Sequence, residues 1–230
     1  MEARIADGVR YSTFQKEAAA LAKFENALNL FAQKTGSGLT YDFRSSMEAP
    51  RKEAAQVLEK FQETRAYTNP VKLIKNISND NYKLIAQLQH EGGARLYEAS
   101  LIHEDQLEGL GKDPPTGKEV GLVRLDPGDT KGGKRRMISV SRGAYKRLEG
   151  HILKHSGEFR IKRADSYRKA LMEAARKSNQ EYTGSHGLRW NFAQERFQEL
   201  QKSGYTYEQC LAQTSWDMGH ERVDITLHYL

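Results

Sequence analysis

The C-terminal stretch Gly219-His220-Glu221-Arg222-Val223-Asp224-Ile225-Thr226-Leu227-His228-Tyr229-Leu230 decides how the rest of the chain is read. It sets a His and a Tyr nine positions apart, with a Gly before the His and a short amphipathic run between them. On its own, a Tyr near the end of a helix is a packing residue. It becomes a candidate nucleophile only where the remaining sequence supplies cations to support it.

With 230 residues the chain is long enough for one large or two smaller domains with a buried core. A composition 38% hydrophobic and 29% charged, with both signs mixed, reads as globular rather than disordered. No apolar run approaches the roughly 20 residues that span a bilayer, and no signal peptide opens the chain, so a cytosolic protein is expected. The single cysteine, Cys210, excludes an internal disulfide framework and a multi-Cys zinc site; it reads as a small apolar helix residue. The net charge is only +6, but Lys131 to Lys177 holds 15 Lys or Arg against 4 Asp or Glu. So concentrated a positive field suits a polyanion, nucleic acid above all.

Taken in order, Ser12 and Gln15 have the spacing of a capping box, and Phe14, Ala18, Leu21, Phe24, Leu28 and Phe31 recur at helical intervals up to Thr35-Gly36-Ser37-Gly38. A second helix is expected from Pro50 through Ala54, Val57, Leu58 and Phe61. Asn69-Pro70 and Asn76 to Asp80 read as breakers, which places a helical domain over 1–68, a linker over 69–78 and a second domain over 79–230. Ser78 or Asn79 can cap a helix through Tyr82, Ile85 and Leu88, and Gly92-Gly93 separates it from another near Arg95. Gly111 to Glu119 departs from a phosphate-binding loop, with five residues between its glycines and Glu where Ser or Thr would hold the metal, so no ATP site is expected. Val120–Asp126 and Arg135–Ser141 alternate like the two strands of a hairpin. Helices return over Gly143–Lys154, Ala164–Lys177 and His186–Lys202, and Thr206 with Gln209 opens one more. The fold class is therefore mainly α with a small antiparallel β-sheet (α+β).

His186-Gly187-Leu188-Arg189 opens a helix, where backbone N–H groups favour an anion, and puts His and Arg on one face. Alone, such a pair is commonplace. Arg95 and Glu98, taken by themselves, are an intrahelical ion pair, and Lys131 is a solvated turn residue.

Their joint order carries more weight. An Arg, a hairpin Lys, His-x-x-Arg, Gly-His and a Tyr nine residues later resemble the tyrosine recombinases, or phage-type integrases, from about Asn79 to Leu230. On that resemblance Arg95 is the first family Arg, with Glu98 in the acidic position after it. Lys131 is the β-hairpin Lys, followed by Gly132-Gly133-Lys134-Arg135-Arg136 in the manner of the family's Lys-Gly-x-Lys-x-Arg run. His186 and Arg189 form the His-x-x-Arg box, His220 is the later His and Tyr229 the nucleophile. The resemblance implies a helical core-binding domain followed by a recombinase-like catalytic domain. It further implies cleavage and rejoining of DNA strands through a 3′-phosphotyrosyl intermediate, without metal, ATP or other cofactor.

The chemistry suits those residue types. Two guanidiniums, Arg95 and Arg189, can clamp the non-bridging oxygens of a pentacoordinate phosphorus, and a Tyr with a pKa of about 10 needs a base, for which His186 is the candidate. His220 would bond the phosphate or position Tyr229; Lys131, with Lys134 as fallback, would protonate the departing 5′ oxygen. Lys134, Arg135 and Arg136 are expected to contact DNA. The resemblance also implies double-stranded DNA as partner, a homotetramer on paired sites, no membrane, and a cytoplasmic, nucleoid-associated location in a prokaryotic or phage-infected cell. A zinc reading of His186, His220 and His228 is discounted because with Cys210 they form no known zinc spacing. Two departures from the family stand out: two clear N-terminal helices instead of four or more, and a chain that stops one residue after Tyr229. With no tail to hold it, Tyr229 is expected to be mobile without DNA. The competing readings are a type IB topoisomerase and a DNA-binding regulator with an idle site.

Overall fold

The computed structural model describes residues 1–59, 64–130, 133–220 and 223–230, with the backbone alone at 129. The chain divides into two compact units, Met1–Glu63 and Thr64–Leu230. It is mainly α with small antiparallel sheets, the class the sequence predicts.

The first unit holds α1 (Glu2–Ala6), α2 (Tyr11–Thr35), α3 (Phe43–Ser46) and α4 (Glu48–Val57). Its core is Phe14, Ala18, Met47, Ala54 and Leu58. The expected Ser12–Gln15 capping box is absent: α2 already begins at Tyr11 after Arg10, and Gln15 donates to the Tyr11 hydroxyl instead. The α2 stripe is also only half used, since Phe24 and Phe31 are 55% and 65% exposed. A 25-residue helix is about 37 Å long, and the short α1, α3 and α4 supply core residues only around Phe14 and Ala18. Glu25 is buried because it caps α3, accepting the N–H groups of Phe43 at 2.7 Å and Arg44 at 2.8 Å. Phe61, expected in the second helix, lies outside the described residues.

The second unit holds α5 (Pro70–Lys75), α6 (Asp80–Glu91), α7 (Leu96–Ala99), β1 (Leu101–His103), β2 (Leu107–Lys112), β3 (Glu119–Leu125), β4 (Arg136–Val140), α8 (Arg142–Lys154), β5 (Glu158–Arg160), α9 (Ala164–Lys177), α10 (His186–Lys202), α11 (Tyr207–Asp217) and α12 (Val223–Leu227). Strands β2-β3-β4 form one antiparallel sheet and β1-β5 a second, two-stranded one. The β3–β4 pairing predicted from alternation is present, with Val123 opposite Ile138. Strands β1, β2 and β5 had no such signal, being short or interrupted by Gly109 and Gly111.

The linker expected over 69–78 is instead part of this unit. Asn69 caps α5 by accepting the Lys72 N–H, Pro70 stands in its first turn, and Leu73, Ile74 and Ile77 are buried in the main core. The residues that read as breakers are helix-start signals: Asn69 and Asn79 are both N-caps. The boundary falls earlier, between residues 63 and 64. The capping box of Thr206 and Gln209 is present at α11. Within the Gly111–Glu119 run, residues 113–118 connect β2 to β3, and Asp113 accepts from Thr116.

Candidate active site

The site is built around the N-terminal half of α10, which is buried on nearly all sides: Leu188, Arg189, Trp190, Asn191, Phe192 and Ala193 in succession. Such a run admits a charged residue only where the surroundings satisfy it. Arg189 is completely buried. It donates to the carbonyls of Gly93 and Met218 and to His220 Nε2 at 3.2 Å, but among the described residues it has no carboxylate partner and its Nε no partner at all. Burial, then the nearby Arg95 and Arg136, push its guanidinium down to about 9.

Gly93 makes the close approach possible. Its φ is +61°, and a Cβ there would lie 2.4 Å from the Phe192 ring, so only glycine lets the α6–α7 turn press its carbonyl onto α10. Both Arg189 and Arg136 bond that carbonyl. Directly after the turn, Arg95 caps α7. Glu98 accepts its backbone N–H at 2.7 Å and its Nη1 at 2.7 Å, and also bonds Arg136. Burial alone would raise the Glu98 carboxyl; Arg136 and Arg95 outweigh it and hold the group below the usual carboxylate range. Arg95 and Arg136 thus share the single carboxylate of Glu98, and Arg189 beside them pairs with none among the described residues. The surplus is positive and enclosed, which suits an anion.

The opening stretch of the C terminus closes the site. His220 follows Gly219, receives Arg189 on Nε2, and meets Thr226 Oγ1 with Nδ1 at 3.1 Å. Accepting from a guanidinium requires a bare Nε2, so the ring carries its proton on Nδ1. Burial, then Arg189, Arg95 and Arg136, push His220 down to about 3. His186, first residue of α10, bonds the Tyr229 hydroxyl through Nε2 at 2.8 Å. Burial, then Arg189, Arg65 and Arg95, push it down to about 4, so it is neutral at pH 7. Tyr229 packs between the Trp190 and His220 rings, with centroids 5.1 and 5.4 Å away, and Gln194 holds its carbonyl at 2.9 Å.

No family model matches the sequence, and no curated protein matches it. Among solved structures, the XerA recombinase superposes with a TM-score of 0.53 over 89% of this chain and 75% of that one, at 15% identity. The chain has a tyrosine recombinase fold. The catalytic domain of bacteriophage HP1 integrase also aligns, with a TM-score of 0.48 and 19% identity over 70% of this chain and 82% of that one.

Within the recombinase fold, Arg95, Glu98, His186, Arg189, His220 and Tyr229, 134 positions apart at the extremes of the sequence, are brought together. Lys131 lies outside the described residues; Lys134 is half-buried, its carbonyl accepting from Thr130 at 2.6 Å. Arg135 is exposed and pairs with Asp126 at 3.1 Å. Arg136, expected on the DNA-contacting surface with it, is instead buried against Glu98 and the carbonyls of Gly93 and Asp217. The alternation of β4 turns it inward, opposite to its neighbour Arg135. Tyr229, expected to be mobile without DNA, is 9% exposed, with its hydroxyl turned to the site.

Sequence reading missed Thr226, Trp190, Gln194 and Arg65. The first three had a signal, since Thr226 lies within the His-Tyr stretch and Trp190 and Gln194 on the first turns of α10. Arg65 had none.

Proposed function

We propose that the chain is a tyrosine recombinase in activity as well as in fold: a DNA strand transferase that cuts and rejoins duplex DNA through Tyr229, without metal or ATP. The observation that carries this reading is the bond from the Tyr229 hydroxyl to a neutral His186 beside a buried Arg189 that lacks a carboxylate partner among the described residues. A packing tyrosine has no need of a base on one side and unneutralised cations on the other.

In the proposed reaction Tyr229 Oη attacks the scissile phosphorus and passes its proton to His186 Nε2. The bond to the 5′ oxygen breaks, and that oxygen takes a proton from Lys131, with Lys134 as the alternative donor. Arg95 and Arg189 hold the non-bridging oxygens, and His220, fixed by Thr226, adds its bond on the same side. The 3′-phosphotyrosyl product retains the bond energy, so a 5′ hydroxyl of another strand can reverse the step. Glu98 and Arg136 position Arg95 and do not touch substrate.

A base at about 4 is too weak to take a phenol proton efficiently. Arg189, Arg65 and Arg95 help hold it there, and a bound phosphate would screen all of them. Burial remains the larger cause of the depression, and a bound phosphate offsets the share that the guanidiniums contribute. Duplex DNA is the partner proposed, with four subunits on two paired sites. Incubation with nicked duplexes, followed by denaturing electrophoresis, tests the reading. A protein–DNA band that is lost in Tyr229→Phe is expected; tight binding with no covalent band would mean a DNA-binding regulator instead.

A further inference from the structure

Residues 64–67 form a strap laid across the first turns of α10. Asn191 fastens it from both sides, accepting the Tyr67 N–H at 2.9 Å and donating to the Tyr67 carbonyl at 2.8 Å. The Tyr67 hydroxyl donates to Gly184 O at 3.0 Å, and Gln194 reaches Thr64 Oγ1 at 3.2 Å. The strap lies so close that a Cβ on Gly187 would stand 2.6 Å from Arg65 O and 2.8 Å from the Tyr67 ring. This explains the glycine inside His186-Gly187-Leu188-Arg189: a side chain there would lift the strap off the helix.

The strap delivers Arg65 to the mouth of the site. Its guanidinium bends back to donate from Nη2 to Thr183 O at 2.7 Å, three residues before His186. The residue is exposed, and among the described residues this is its one hydrogen bond and it has no ion pair. A solvated Arg on a flexible stem normally finds a carboxylate or stays in water; this one is turned back onto a backbone carbonyl three residues before His186. It also ranks between Arg189 and Arg95 among the charges that depress His186. Nothing in the packing of the strap requires a cation there, since Asn191, Tyr67 and Gly187 fasten it without one.

Resting on the function proposed above, we propose that Arg65 is a further substrate-binding residue, whose guanidinium takes a DNA backbone phosphate beside His186. It would be a charge-assisted, sequence-independent contact.

Equilibrium binding of a labelled duplex of mixed sequence, measured against salt for Tyr229→Phe and for the same protein carrying Arg65→Gln or Arg65→Lys, tests it. One lost phosphate contact lowers the slope of log affinity against log salt by about 0.9. The Gln variant should therefore bind about eightfold more weakly at roughly 0.1 M salt and match the parent at roughly 1 M. Arg65→Lys, which keeps the charge, should recover most of the slope. An unchanged slope in Arg65→Gln overturns the proposal, as does a loss that Lys does not restore, because the Thr183 bond and not the charge would then be what matters. A parent that binds no duplex overturns the recombinase reading and this inference together; normal parental binding isolates the outcome for Arg65.

Discussion

Arg189 and Arg196 stand seven positions apart on α10, both buried, in opposite surroundings. Arg196 meets three carboxylates. Asp113 takes it as a fork with both oxygens at 2.9 Å, Asp217 at 2.7 Å and Glu199 at 2.7 Å. Burial opposes its charge, but Asp113, Asp217 and Glu199 hold its pKa above the ordinary value. Arg189 meets carbonyls, an imidazole and other arginines, and its pKa falls. The two residues are chemically identical, and only their partners differ. A buried guanidinium saturated by carboxylates joins elements of the fold, here the β2–β3 turn, α10 and α11. One left short of carboxylates is an uncompensated charge whose natural partner comes from outside.

The sharpest way to break this contrast is to neutralise each in turn. Arg196→Met strands three carboxylates together and should cost about 3–5 kcal/mol of stability, read from denaturant unfolding. Arg189→Met relieves repulsion from Arg95 and Arg136 while taking a donor from the Met218 carbonyl and from His220 Nε2, the Gly93 carbonyl keeping Arg136, so it should cost no more than about 1–3 kcal/mol. Its covalent DNA product should form about 10²- to 10³-fold more slowly. If the two variants lost stability equally, the distinction would fail.

A smaller effect sharpens the geometry around Arg189. In Gly187→Ala the new methyl would meet Thr183 Oγ1 at 2.2 Å as well as the strap. A loss of about 1–3 kcal/mol is expected, together with part of the salt-dependent DNA affinity that Arg65 supplies. Unchanged thermal unfolding would show that the strap yields freely.

The smallest effect comes from the histidines on the Arg189 side. Both folded values, about 4 for His186 and about 3 for His220, lie below the ordinary 6.5, so between those limits the unfolded chain binds more protons. Stability tied to these rings is intact above 6.5 and is lost as pH falls toward 4. Both are only partly buried, so Tm should drop by roughly 2–6 °C between pH 6.5 and 5. The drop should be smaller in His220→Asn; an equal drop would place the titration elsewhere.

Much of this molecule was legible one residue at a time. Helices α8, α9, α10 and α11 follow from apolar spacing and caps, because those signals act within a few residues of the chain. The strands β2, β1 and β5 were not legible: their stability comes from partners distant in sequence, and their own glycines and short lengths carry no period. The linker over 69–78 was misread because Asn and Pro serve as breakers and as helix starts alike; burial of Leu73 and Ile74 against the main core decides between them.

The sequence by itself supplied the candidate site residues and their order, since Arg95, His186-x-x-Arg189, Gly219-His220 and Tyr229 are a pattern of types and spacings. Only the tertiary structure decided which charges are neutralised. Arg135 and Arg136 are adjacent in the chain, yet one faces water and the other is buried against Glu98. Arg189 and Arg196 share a helix, yet only one finds carboxylates. Electrostatic surroundings depend on distances of a few ångströms between residues a hundred positions apart, and those distances exist only once the chain has closed on itself.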